Sequence, residues 1–116
     1  MLELLGAYDR SGNPEFLNTA EEFSAWIMTA SEQELQYDIR LLNDLQIKKR
    51  RRDLTTEEET ALVQITEDRD ALEQIKVGAY LLLNQQTAAR IHFERLKPNE
   101  QEEFRKYPIC RFCENF

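Results

Sequence analysis

A mainly α chain folded as an antiparallel helical hairpin is what the sequence predicts, and two observations predict it. From Thr56 to Leu96 no proline interrupts the chain, and apolar residues recur there at helical spacing. Only Asp53-Leu54-Thr55 separates that stretch from a second periodic one ending at Arg52, and so short a link between two long helices turns them antiparallel. The expected architecture is a hairpin of helices at about 31–52 and 56–96, with short flanking helices at about 19–30 and 99–107 and an irregular or hairpin-like N-terminus. With 116 residues the chain suffices for a single small helical domain, 1–116.

At the N-terminus, Asp9-Arg10-Ser11-Gly12-Asn13-Pro14 is a turn composition between apolar flanks, compatible with two very short strands. Asn18 or Thr19 then caps a helix with Glu21 and Glu22 in its first turn. Phe23, Trp26, Ile27 and Ala30 share one face of it, which makes the single tryptophan a core anchor. Ser31 and Glu34 form a capping box that opens the first hairpin helix, whose stripe is Leu35, Ile39, Leu42 and Leu45.

The second hairpin helix begins at the threonine cap before Glu57, Glu58 and Glu59. Read in sevens, its seams are Ile65, Leu72, Ala79, Gln86, Phe93 and Asp68, Ile75, Leu82, Ala89, Leu96. Asp68 and Gln86 are the polar breaks in those seams. Folding about the turn places Leu45 near Ile65, Ile39 near Leu72 and Leu35 near Ile75. The segment from Val77 to Leu83 is apolar all round, so it lies at the centre of the core, covered on several sides. Beyond Lys97-Pro98, Asn99 caps a short helix that stops at Pro108. Phe104, Tyr107, Ile109, Phe112 and Phe116 make the tail after it too apolar to be free.

Charge narrows the functional classes. The net charge of −7 disfavours nonspecific contact with nucleic acid or anionic lipid. No apolar run is long enough to span a bilayer, so the expectation is a soluble cytoplasmic protein with no membrane partner. Residues Lys48, Lys49, Arg50, Arg51 and Arg52 stand against that background as the candidate binding site, an unbroken basic run at the hairpin tip. The competing explanation is charge compensation, because cations in the last turn of a helix offset its dipole and Glu57–Glu59 lie just across the turn.

Catalysis finds little support. The one histidine, His92, is flanked by Ile91 and Phe93, and three scattered glycines form no phosphate loop. No catalytic residue and no cofactor are assigned. Cys110 and Cys113 form a C-x-x-C pair and are the weak candidates for metal, but a second pair is missing. Two reduced cysteines in a small apolar niche are expected instead.

These readings favour a non-catalytic protein–protein interaction module: a small acidic helical adaptor, inhibitor or subunit that binds a larger protein or complex. Its character is analogous to that of small inhibitory proteins of phages and mobile elements. A homodimer through the uncovered far half of the long helix is a further arrangement. Nucleic-acid or ribonucleoprotein contact through residues 48–52 is one alternative function, and zinc-assisted assembly through the C-terminal C-x-x-C is the other.

Overall fold

In a computed structural model, which describes residues 2–30 and 37–116, the described residues form seven α-helices, a final 3-10 turn and no strand. The helices are α1 (Leu2–Ser11), α2 (Pro14–Ala30), α3 (Tyr37–Arg51), α4 (Thr56–Glu67), α5 (Glu73–Leu82), α6 (Gln86–Glu94) and α7 (Pro98–Lys106), and the turn is Pro108–Phe112. The mainly α expectation therefore holds. The chain divides into two compact units, Met1–Asp53 and Leu54–Phe116. The division falls on the short link that the sequence marks as a turn.

The first unit begins with two helices where irregular chain is expected. The turn composition is real, but it joins helices. Gly12 takes a left-handed φ of +70° and donates its N–H to the Tyr8 carbonyl at 2.7 Å, which closes α1. The Asn13 side chain accepts the Glu15 N–H at 3.0 Å and Pro14 follows at the first helical position, so α2 starts well before residue 19. That earlier start changes which face is buried. Leu17, Ala20 and Ser24, three and four apart, point inward with exposures of 2% or less. Phe23 and Trp26 are left outside, so the tryptophan is no core anchor. Leu5 of α1, Leu17 and Ala20 of α2 and Ile47 of α3 form one apolar cluster. The Ser31–Glu34 capping box and Leu35 lie outside the described residues.

In the second unit the expected single helix over 56–96 is three helices. Thr55 caps α4 reciprocally: its Oγ1 accepts the Glu58 N–H at 3.2 Å while Glu58 Oε1 accepts the Thr55 N–H at 2.8 Å. Asp68 ends that helix. It has extended dihedrals, and its side chain accepts the Asp70 N–H at 2.9 Å, an Asx turn that competes with further helix. The break at the other end of α5 is a Schellman motif. Asn84 sits at φ +61°, the Asn84 N–H reaches the Leu81 carbonyl at 3.1 Å, and the Gln85 N–H reaches the Tyr80 carbonyl at 2.9 Å.

Helix α5 lies at the centre of this unit, against α4, α6 and the 3-10 turn. Val77, Ala79, Leu81 and Leu82 are each 1% exposed or less, so the apolar Val77–Leu83 segment is covered on several sides as the sequence predicts. Ile39 and Leu72, expected to be opposed in a buried seam, are exposed.

The tail docks, also as expected. Phe93 of α6 packs edge-on against Phe104 of α7 and tilted against Phe116, at 5.9 and 5.0 Å between ring centres. Helix α7 starts at Pro98, with Lys97 rather than Asn99 before it; the Lys97 N–H is taken by Glu100 Oε1 at 3.0 Å. In the far half of the 56–96 stretch Ala89, Phe93 and Leu96 are buried, while Ile91 is exposed.

Candidate functional site

The basic run ends α3, and its cations are drawn into the first unit. Arg50 makes a two-point pair with Asp9 of α1, Nε to Oδ1 at 2.9 Å and Nη2 to Oδ2 at 2.8 Å. Its Nη1 donates to the Gln46 carbonyl at 2.9 Å and to Gln46 Oε1 at 3.3 Å. The Arg50 side chain is fully buried, and the exposure the residue keeps belongs to its backbone. Gln46 is itself 2% exposed and donates to Asn43 Oδ1 at 3.1 Å, so the buried polar chain is satisfied along its length.

Its neighbours behave alike. Arg51 pairs with Glu21 and Asn18 of α2. Lys48 meets Asp44 Oδ2 at 2.7 Å, while Asp44 Oδ1 accepts from the buried Ser24 hydroxyl at 3.0 Å. Arg52 donates to the Asp53 carbonyl at 2.9 Å, and Lys49 is also engaged. Arg50 and Arg51 thus fasten α3 to α1 and α2 through acids that a phosphate would have to displace, while the Lys48–Asp44 pair lies within α3.

A second polar cluster lies in the other unit. His92 Nδ1 contacts Glu73 Oε1, Arg95 approaches the same oxygen at 3.6 Å, and Tyr80 stacks on the imidazole with ring centres 5.1 Å apart. The hydrogen bond with His92 holds the Glu73 carboxyl below its ordinary range. Partial burial opposes this, and the charges of His92, Arg95 and Lys76 add to it. The cluster ties α5 to α6. No group of three or more His, Cys, Asp or Glu side chains suited to a metal ion occurs among the described residues.

Cys110 and Cys113 are joined as a disulfide, with Cα atoms 4.7 Å apart. The expected reduced pair is corrected: the 3-10 turn brings residues three apart within bonding reach. In this state neither sulfur offers a thiolate to zinc, so Cys110 and Cys113 are not placed as metal ligands.

What the sequence reading misses lies on α2. Trp26 exposes 64% of its surface and Phe23 46%, and their rings lie 6.0 Å apart on the face turned away from Leu17, Ala20 and Ser24. A soluble helix seldom presents two large aromatic rings one turn apart to water, because covering them is worth more than covering almost any other pair. The signal was present in the sequence: Asn13-Pro14 opens a helix whose inward stripe runs 17, 20, 24, which leaves 23 and 26 outside. The weight given to large residues over small ones hid it.

No helix among the described residues is long and apolar enough to cross a membrane. No protein-family model matches the chain, and no curated protein or solved structure does so either.

Proposed function

We propose that the chain is a non-catalytic protein–protein interaction module, an adaptor, inhibitor or subunit that binds a larger protein through the outer face of α2. The observation that carries this reading is the exposed Phe23–Trp26 pair, rings 6.0 Å apart on one helix face. Tryptophan and other aromatic side chains supply large contact area at little cost in rotamer entropy, which is why they anchor protein interfaces. Two of them one turn apart form a ridge that fits the groove of a partner.

The basic run supports the alternative of nucleic-acid contact less well, because Arg50 is buried against Asp9 and Arg51 is held by Glu21. The test compares capture by the parent chain and by the Phe23→Ala/Trp26→Ala double variant. A defined partner is expected to be retained stoichiometrically by the parent and lost by the variant, with the helical circular dichroism unchanged. Equal capture by both removes α2 as the binding face.

A further inference from the structure

The charge around the aromatic pair specifies what would cover it. Helix α2, PEFLNTAEEFSAWIMTA, contains no lysine or arginine. On its outer face Glu15, Glu22, Phe23 and Trp26 fall at the three-, four- and seven-residue spacings that align along a helix, and all four are exposed. The other acids of this region are engaged: Glu21 holds Arg51, and Asp44 holds Lys48 and Ser24. Glu22, one turn from Trp26, has no ion pair among the described residues. The face therefore combines an aromatic ridge with the negative charge of Glu22, which no ion pair among the described residues neutralises.

We infer that the partner of this face is a cationic amphipathic helix of another protein, laying apolar side chains against Phe23 and an arginine or lysine over the Trp26 ring, within reach of Glu22. This rests on reading the α2 face as the binding surface, and adds the chemical class of what binds. Indole is the aromatic ring that attracts a cation most strongly, and a guanidinium over it retains donors for a carboxylate beside it. An acidic helix would bring like charge against Glu15 and Glu22, and the −7 chain would repel it on approach.

Trp26 is the only tryptophan, so its emission reports on this face alone. The full chain is titrated with two synthetic helical peptides of equal length and identical leucine positions, one with arginine and one with glutamate at the polar positions. The arginine peptide is expected to shift the emission saturably, and the glutamate peptide is expected not to. Glu22→Lys should weaken the arginine peptide by about fivefold or more, the worth of one charge pair. Glu59→Lys on α4, which changes the net charge equally, should leave binding nearly unchanged. Saturable binding of the glutamate peptide, equal weakening by both reversals, or no saturation with either peptide overturns the cationic class. Partner capture that still depends on Phe23 and Trp26 would in that event leave the interaction reading standing, whereas capture independent of them removes both.

Discussion

Asp9 and Arg50, 41 residues apart in the sequence, meet in a two-point ion pair that closes the first unit between α1 and α3. The guanidinium has no contact with water and is held by Asp9 and Gln46, so its charge is tolerated only while the carboxylate is present. Asp9→Ala is expected to cost about 3 kcal/mol, the lower end for breaking a buried pair because Asp9 is partly exposed. Asp9→Ala/Arg50→Met should recover much of that loss, as urea denaturation of the single and double variants will show.

The second unit has a pH signature. The Glu73 carboxyl is held below its ordinary value of 4.5, chiefly by the hydrogen bond with His92. A carboxyl lowered by folding contributes stability that is complete above its unfolded value and is lost as pH falls through the folded one. The expected loss therefore develops as pH falls below that ordinary value of 4.5. Denaturation midpoints of the parent and Glu73→Gln, compared from pH 6 downward, should converge at the acid end.

The breaks in the 56–96 stretch predict contrasting sensitivities. Leu72 stands 64% exposed before α5, whereas Leu82 is 1% exposed within it. Leu72→Ala should change stability by no more than about 0.5 kcal/mol. Leu82→Ala should cost about 3 kcal/mol. A continuous helix with Leu72 in its seam would make the two comparable.

Asn84 holds the left-handed position that ends α5. Asn84→Gly should be tolerated or slightly stabilising, because glycine takes this conformation without a Cβ penalty. Asn84→Val should cost about 1–2 kcal/mol by thermal denaturation.

The disulfide joins residues only three apart, so it removes little freedom from the unfolded chain. Cys110→Ser/Cys113→Ser should lower stability by about 2 kcal/mol at most, on the loop-entropy argument. Mass spectrometry under non-reducing conditions should find the parent two hydrogens lighter than its reduced form.

How far the sequence could be read follows from particular residues. Periodicity identified helix throughout 56–96, since α4, α5 and α6 all lie within it, and it identified the Val77–Leu83 core. It did not reveal that the helix stops twice. Asp68 and Gln86 were visible as polar interruptions of the seams, and the breaks fall at Asp68 and immediately before Gln86. A heptad count treats such residues as tolerable flaws, whereas their side chains compete for backbone hydrogen bonds or have work elsewhere. In the first unit the turn residues were correctly located but assigned to strands, because Gly12 and Asn13 serve a helix–helix turn as well as a hairpin. The candidate site was the least legible. A run of five cations announces itself in a sequence, while the pairing of Arg50 with Asp9 and of Arg51 with Glu21 depends on packing across separate helices.

Gln86 shows what that work elsewhere amounts to. Its amide nitrogen donates to the Phe112 carbonyl at 2.8 Å and its oxygen accepts the Glu114 N–H at 3.1 Å, so both ends of one amide grip the tail. Deamidation, a change of one atom with no change in size, would set a carboxylate oxygen against the Phe112 carbonyl and turn half of the grip into repulsion. Chemical ageing at this single position would therefore loosen the tail while leaving every apolar contact in place.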